Sequence, residues 1–546
     1  MREGEDAIPD LLSELQARGF KRSYHQGSAE YLELTGAFRT SEGPVQCRLE
    51  IDRTFRQPPR IFLTPVPDKL LPVAPHLGPN GQLCYAAKGT YVFDIYDPVR
   101  QTLALISRAE QVLDSLMKGE MREDLAEEFF AYWGECSCFM DVEGEETKPL
   151  QVYSCDYKSI KAKAFFLTDN VERTSKKLTV LGGEFEQLNA CVFLISSQSN
   201  PRPSLESWPP QNLGQLLKWQ RALDHRVPSK ILKKIRSVSK RNVEACMLVI
   251  SSPGFKYGFM VAMPTKQDRK FLRKRSMGNQ HLYPLKILQV AIIRVDDKYL
   301  TERNLPAAPN LARLKITIIG CGTIGGYLAE LAVKAGAGTI GGHLELIDPD
   351  RLGPNNLGRH RLGFGDLHQY KASALVSEIK RVMPSANISA LSCDARDIEL
   401  ADPDLIIDAT GDESLGYWIA GNYHRNKPIL SVWIEGGGVA VRSLLNYSGS
   451  GACYRCLCDY NRDYAFRSVK EEIDDVFVGH GCEELYVPFP ATVSLQAACL
   501  GMEAAMDWAG PNRLPTLRTK VISPEFTSGS DDCCPVKRKG CPACCN

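Results

Sequence analysis

The sequence predicts an α/β protein of three units: an N-terminal α+β unit over residues 1–145, an α+β middle unit over 146–305, and a C-terminal unit over 306–546 with a mostly parallel sheet. Three observations predict it. From Leu314 onward, apolar strand-length runs alternate with amphipathic helices, and strands separated by helices pair in parallel. The first 145 residues read as helix, antiparallel meander, bend and helix. Between them stand apolar runs of strand length, separated by proline-rich and basic segments. A chain of 546 residues, 24% charged and 44% hydrophobic, has ordinary globular composition and length for roughly two to four such units.

The elements follow in order. "AIPDLLSELQARGF", residues 7–20, repeats apolar residues at helical spacing and stops at Gly19. "AEYLELTGAF", "VQCRLEI" and "RIFLTPV" alternate like strands of a meander over residues 28–66. "APHLGPNGQLCYAAKG" then crowds proline, glycine and asparagine ahead of Cys84, a turn-forming composition that holds the thiol at a bend. "YDPVRQTLALISRAEQVLDSLMKG" is a long amphipathic helix, with Asp97 at the cap position, Pro98 at the first helical position and Gly119 as its stop. In the middle unit "KLTVLGG", "ACVFLIS", "ACMLVISS", "YGFMVAM" and "LKILQVAIIRV" read as strands. "NPRPSLESWPPQNL" reads as a loop, and "KILKKIRSVSKR" and "KQDRKFLRKRS" as basic solvated faces. The C-terminal unit runs strand "KITIIG", helix "GYLAELAVKAGAG", strand "HLELID", helix "KASALVSEIKRV", strands "DLIIDA" and "PILSVWI", and helix "ATVSLQAACLGMEAAMDWAG".

A net charge of +1 gives no global reason to expect nucleic acid or a membrane as partner. The chain has no apolar run long enough for a transmembrane helix. Its first twenty residues carry acids and lack an apolar core, unlike a secretory signal, so a cytoplasmic location is expected. In that reducing compartment, 19 cysteines point to metal, catalysis or plain core rather than disulfides.

"IIGCGTIGGYLAE" places Gly320, Gly322 and Gly325 between a strand and a helix, a Rossmann-like nucleotide turn. Gly320 permits the tight turn, Gly322 lets phosphate approach the backbone, and Gly325 lets the helix pack on the sheet. Asp348 and Asp350 end the second strand, where a carboxylate meets ribose hydroxyls. Asn355, Asn356, Arg359 and Lys371 follow. Cations there suit a triphosphate, whose charge must be neutralised as pyrophosphate leaves, and so favour ATP over NAD. Cys453 and Cys456 form one C-x-x-C pair, and Cys541 and Cys544 another. Two pairs make a tetrahedral Zn²⁺ site that pins the last segment to its domain. Cys458, Cys533, Cys534 and Cys545 leave the choice of ligands open. Cys482 stands between glycine and two prolines ahead of the last helix, and a loop cysteine beside a nucleotide site is a candidate nucleophile.

Taken in order, "IIGCGTIGG", "ELIDPDRLGPNNLGRH", "HQYKASAL", "DLIIDATGDESL", "CYRCL" and "KGCPACC" resemble the ThiF adenylation domain of ubiquitin-activating enzymes and of their bacterial sulfur-carrier relatives, the MoeB/ThiF type. The resemblance implies ATP and Mg²⁺, with Asp348 on the ribose, Asn356, Arg359 and Lys371 on the phosphates, and Cys482 as a thioester cysteine. The family often has a magnesium-binding Asp directly after "DAT". Gly411 stands there, and Asp412, one residue on, takes its place. A homodimer is implied too, with Arg303 as the candidate for an arginine supplied by a second subunit.

"RQPPRIFLTPVPDKLLPVAPHLGPNGQLCYAAKG" resembles the active-site region of a ubiquitin-conjugating enzyme, with Cys84 as its cysteine. His76 stands where that family has the Asn that helps the oxyanion form, and a histidine there can donate or act as base. The three units together are similar to bacterial fusion proteins of type II CBASS anti-phage operons. Those attach a cGAS-like nucleotidyltransferase, by its C-terminus, to target amines. The implied cycle adenylates a partner's C-terminal carboxylate, moves the acyl group to Cys482 and then Cys84, and yields an amide with a lysine. Two alternatives stay open: a sulfur-carrier activator, which needs no Cys84, and a non-catalytic scaffold that senses nucleotide.

Overall fold

The computed structural model of the chain describes residues 7–23, 30–78, 80–86, 91, 93–94, 96–134, 136–144, 149–156, 163–239, 241–264, 280–473, 477–478, 486–511 and 515–544. In the first unit, strands β1 (Lys21–Arg22), β2 (Tyr31–Thr40), β3 (Gly43–Asp52) and β4 (Arg60–Leu63) form an antiparallel sheet in that order. Alternation sends Leu32, Leu34 and Phe38 of β2 and Cys47, Leu49 and Ile51 of β3 into one core. The helices Ile8–Ala17 and Pro98–Lys118 cover it with Leu11, Leu15, Leu105, Ala109 and Leu113. Gly119 ends the longer helix at φ 75°, a left-handed position that glycine takes without strain. Asp97 holds the N-cap position but pairs with Arg100 at 2.5 Å instead of capping a backbone N–H.

The second sheet has eight strands: β5 (Cys136–Asp141), β6 (Gln151–Asp156), β7 (Lys163–Thr168), β8 (Glu184–Gln187), β9 (Ala190–Ser196), β10 (Ala245–Ser251), β11 (Lys256–Ala262) and β12 (Ile287–Arg294). Their order is β8-β6-β7-β5-β12-β11-β10-β9. Because β5 pairs in parallel with both β7 and β12, this sheet begins ahead of the boundary expected near residue 145. A second correction falls on "KLTVLGG". It completes the helix Val171–Leu181, capped by Asn170, whose side chain accepts from Arg173 N–H, and closed by Gly182 at φ 68°. A short apolar run does not by itself separate helix from strand, and here the caps decide. The basic stretch "KILKKIRSVSKR" supplies most of the helix Val227–Val238, with Ile231, Ile235 and Val238 buried; "KQDRKFLRKRS" lies outside the described residues.

The end of the first unit is welded to this sheet. Phe129 and Trp133 pack on Trp219 at ring separations of 6.1 and 5.3 Å, and Trp133 Nε1–H lies 3.2 Å from both Gly258 O and Val290 O. The helix Asp297–Asn304 leads into the third unit, and Asp297 ties the middle and last units together. It accepts from Lys177 Nζ at 2.7 Å and from Ser385 Oγ at 2.7 Å.

The third sheet has seven strands: β13 (Lys315–Ile319), β14 (His343–Ile347), β15 (Ile388–Leu391), β16 (Leu405–Asp408), β17 (Ile429–Glu435), β18 (Ala440–Asn446) and β19 (Leu517–Val521). The order is β15-β14-β13-β16-β17-β18-β19, parallel through β17 and antiparallel beyond. The helices Gly325–Lys334, Lys371–Val382 and Ala491–Ala509 share one core, and Glu413–Tyr423 packs into another. The last two strands escape a sequence reading because β18 buries Arg442, which donates to Thr519 Oγ1 and Phe466 O and pairs with Glu435. Among the described residues no helix is long and apolar enough to cross a membrane.

Candidate active site

The nucleotide turn starts where β13 ends. Gly320 sits at φ 89°, and a Cβ there would press on Ala409 and Thr410 at 2.8–2.9 Å. A Cβ on Gly325 would lie 1.8 Å from Gly320 O, so only glycine lets the helix start there. A Cβ on Gly322 meets nothing within 4 Å, which leaves its backbone open to a ligand.

Two buried side chains fix the loop between these glycines. Asp348 Oδ2 accepts from Cys321 N–H at 2.7 Å and Oδ1 from Asp350 N–H at 2.8 Å, and burial raises the Asp348 pKa. His360, which the sequence reading passed over, holds the other side of the same residue. Its Nδ1 faces Leu362 N–H at 3.0 Å and must accept, so Nε2–H donates to Cys321 O at 2.9 Å. Burial lowers its pKa to about 4, so the ring is neutral at neutral pH.

The contrast between the glycines is testable. Gly322→Ala is expected to melt like wild type and lose ATP affinity. Gly325→Ala is expected to lose about 1–3 kcal/mol of stability as well, from overpacking. Thermal melting beside ATP titration separates them.

The cations expected around the phosphates are found on two segments. Lys371 opens its helix, buried, with Nζ 2.8 Å from Asp350 Oδ2, and its N–H donates to Asp350 O at 2.9 Å. Asn356 closes the turn Pro354–Asn356, its Oδ1 accepting from Gly353 N–H at 3.0 Å. Arg359 donates from Nη1 to Val487 O at 2.8 Å and lies over the Phe489 ring at 4.2 Å, while its buried Nε has no partner among the described residues. Burial lowers the Arg359 pKa, the mark of a desolvated cation that an anion would satisfy. Cys482 lies outside the described residues, a few positions before Val487. Arg303 is exposed near the end of its helix.

Gly411 takes φ 68°, and this left-handed residue swings Asp412 into the N-cap of Glu413–Tyr423. Asp412 Oδ1 accepts from Ser414 N–H at 2.8 Å and Leu415 N–H at 3.2 Å, so a cation would meet its other oxygen. Asp408, missed from sequence, is buried behind it. Its Oδ1 accepts from Thr410 N–H and Oγ1–H at 3.1 and 2.7 Å, yet burial and then the Asp412 charge push its pKa to about 6. A carboxyl raised in the folded state favours folding below its ordinary value of 3.8 and loses that contribution as pH rises through about 6. Asp408→Asn is therefore expected to flatten the fall in stability between about pH 4 and pH 7. The gain should reach about 3 kcal/mol by pH 7, at roughly 1.36 kcal/mol per unit; urea denaturation at both pH values measures it.

Cys84 sits on a hairpin. Its N–H donates to His76 O at 2.7 Å, Gly78 N–H donates to Gln82 O at 2.8 Å, and Leu77 faces Leu83. The thiol is exposed at the end of the second arm. Partial burial, and then the Glu128 charge, raise its pKa. The His76 ring, expected to serve the oxyanion, faces two carboxylates in this arrangement. Nδ1 lies 2.6 Å from Glu128 Oε1 and Nε2 lies 3.0 Å from Asp124 Oδ2, so both ring nitrogens are directed at carboxylates. His76 N–H also donates to Glu128 Oε2 at 2.8 Å, which stabilises a residue at φ 58°. The Tyr132 hydroxyl completes the lock, 2.9 Å from Ala74 O and 3.1 Å from Glu128 Oε2. Asp124, Glu128 and Tyr132 were legible in principle: spaced by four, they share a helical face in "DLAEEFFAY".

The four cysteines of the two C-x-x-C pairs come together, all buried, with every Sγ within 4.8 Å of the others. Three separations are 3.6 Å (Cys453–Cys456), 3.7 Å (Cys453–Cys541) and 3.4 Å (Cys456–Cys544). Thiolates about 2.3 Å from one Zn²⁺ stand roughly 3.8 Å apart in a tetrahedron, so the set fits that ion. Backbone N–H groups of Cys456 and Arg538 point at Cys453 Sγ and Cys456 Sγ, as outer-sphere donors to thiolates do. Cys458, Cys533 and Cys534 stand outside the set, and Cys545 lies outside the described residues.

Residues 300–528 match the family model described as the ThiF family, and residues 9–137 match the one described as prokaryotic E2 family B. An activating unit with a nucleotide turn and a conjugating unit with an exposed cysteine define an ATP-dependent ubiquitin-transferase-like enzyme. The chain is 43% identical to the ATP-dependent ubiquitin transferase-like protein Cap2 of Pseudomonas aeruginosa, covering 98% of this chain and 99% of that protein. It is 25% identical to the Cap2 protein of Escherichia coli over 87% of each chain. The chain belongs to this Cap2 family. A crystal structure of Escherichia coli MccB with ATP, 16% identical, aligns over 45% of this chain and 70% of its own with a TM-score of 0.32, too distant to carry weight.

Proposed function

We propose that the chain activates the C-terminal carboxylate of a protein partner as an acyl-adenylate and conjugates it, through thioesters on Cys482 and then Cys84, to a lysine amine. The observation that carries this reading is the exposed Cys84 hairpin on the same chain as the nucleotide turn. A carboxylate is a poor electrophile, whereas AMP and thiolate are workable leaving groups.

Each residue has a role in that scheme. The backbone of Gly320, Gly322 and Gly325 cradles phosphate, and Asp348 and Asp350 meet the ribose. Asn356, Arg359 and Lys371 hold the phosphates, with Lys371 exchanging Asp350 for an incoming anion. Asp412 is the carboxylate that would meet Mg²⁺, which supplies further charge neutralisation to the phosphates. Once loaded, Cys84 is attacked by amine while His76 keeps the turn in shape. The partner we favour is a cGAS-like nucleotidyltransferase in anti-phage defence, on the resemblance of the whole arrangement to type II CBASS fusions. A homodimer in the cytoplasm belongs to the same reading.

Pyrophosphate exchange tests the first step. Arg359→Ala is expected to slow exchange by roughly 10²–10³, the loss of one contact to developing charge. Its effect on ATP affinity should be smaller, because the contact strengthens as pyrophosphate departs. Wild-type exchange in that variant would remove Arg359 from the site.

A further inference from the structure

A groove runs along the seam between the first and middle units, and its start is a wall of the Cys84 hairpin. The first chamber, about 310 Å³, is lined by Ala74, Leu77 and Gly78 of the hairpin's first arm and by Trp133, Trp208 and Pro209 opposite. Cys84 stands on the second arm, bonded through its N–H to His76 O. Leu71 and Val73 border both this chamber and a second, of about 140 Å³. Arg122 and Leu205 border both the second and a third, of about 460 Å³, so the three lie side by side along the seam.

Its chemistry changes along its length. Near Cys84 the walls are apolar, and Leu71 is left 52% exposed. At the far end stand Arg122, Arg202 and Lys218. Lys218 is paired with Glu206, whereas Arg122 and Arg202, both exposed, have no ion-pair partner among the described residues. The "NPRPSLESWPPQNL" segment, which neither the nucleotide turn nor the hairpin uses, forms much of the outer wall.

We infer that this groove holds the C-terminal tail of the acyl-donor protein, with apolar residues near the carboxyl end in the first chamber and acidic residues upstream against Arg122 and Arg202. This rests on the reading of Cys84 as a thioester carrier. A chain whose last carbonyl is joined to Cys84 must leave along the surface beside the hairpin, and an elongated three-chamber groove suits an extended strand rather than a compact small molecule. Unpaired arginines at the distal end select acidic side chains by charge complementarity.

The test uses the full chain and three fluorescein-labelled ten-residue peptides with free carboxyl ends. One has glutamates upstream and leucines near its end; one replaces the glutamates with lysines; one replaces the leucines with serines. In fluorescence anisotropy the first is expected to bind at least about tenfold more tightly than either other. Leu71→Glu should weaken the first peptide by about tenfold, and the double variant Arg122→Glu/Arg202→Glu should reverse the preference between glutamate and lysine. Both variants should keep wild-type pyrophosphate exchange, which reports an intact fold and an untouched activating unit. Equal binding of the three peptides, or a preference that survives the charge reversal, overturns the groove. Thioester formation on Cys84 is read separately on a non-reducing gel. A normal Cys84 adduct without peptide selectivity sinks the groove alone, whereas selectivity without any adduct upholds the groove and sinks the thioester reading.

Discussion

Cys84→Ala is expected to abolish conjugate formation while pyrophosphate exchange continues at the wild-type rate. The side chain is exposed at the end of a hairpin, held by its backbone N–H rather than by its sulfur, so its loss leaves the turn intact. The nucleotide turn belongs to another sheet with its own core, so activation does not depend on it. Among the described cysteines, Cys84 is the one that a hairpin presents to solvent beside a carboxylate cluster. The raised thiol pKa means that Cys84 is mostly protonated at neutral pH, so transfer onto it should quicken as pH rises toward and past its ordinary value of 9.0. Cys84→Ser should trap an oxyester that resists thiols, since serine attacks more weakly and forms a more durable bond. A gel run with and without reductant, with ATP and the partner present, reads each species. A thiol-resistant conjugate from Cys84→Ala would show that Cys84 is not the catalyst, and the sulfur-carrier reading would gain.

Removing one thiol of the four-cysteine centre should cost the third unit its fold. Cys456→Ser is expected to lower bound Zn²⁺ from one equivalent to near none and to destabilise the region around the helix Tyr454–Arg462, where Cys453 and Cys456 sit. Structural Zn²⁺ supplies on the order of 10 kcal/mol, comparable with the whole stability of a domain. The centre also anchors the end of the chain, since Cys541 lies 88 residues beyond Cys453 and closes a long loop. Metal analysis and hydrogen exchange with and without chelator measure both effects. Purified wild-type protein with far less than one equivalent of zinc would remove the site.

Much of this arrangement was legible because chemistry was local. The glycine turn and the C-x-x-C pairs carry their own spacing, the helices Pro98–Lys118, Lys371–Val382 and Ala491–Ala509 their own periodicity, and Pro98 and Gly119 bound the first of these helices. What was illegible depended on partners distant in sequence. Strand β18 hides Arg442 in the core against Glu435, Thr519 and Phe466, so it does not look like a strand. His360 gains meaning only when folding brings it to Cys321, and Asp408 only when Gly411 turns Asp412 aside. His76 is legible from its place before Cys84, but its carboxylate partners Asp124 and Glu128 are not, because they lie some fifty residues on and meet it only in the fold.

The stacking of Phe129 and Trp133 on Trp219 bears on how the chain can be dissected. The region that matches the conjugating family ends at residue 137, which looks like a natural place to cut. A cut there would strip two large aromatic side chains of their partners, each carrying roughly 150–250 Å² of surface. It would also orphan Trp133 Nε1–H, now shared between Gly258 O and Val290 O. The smallest fragment that keeps this seam closed runs through Arg294, where β12 ends. In this chain the Cys84 unit is thus packed on a scaffold about twice the length of its own sequence signature, and an isolated first unit would report on a broken surface as much as on Cys84.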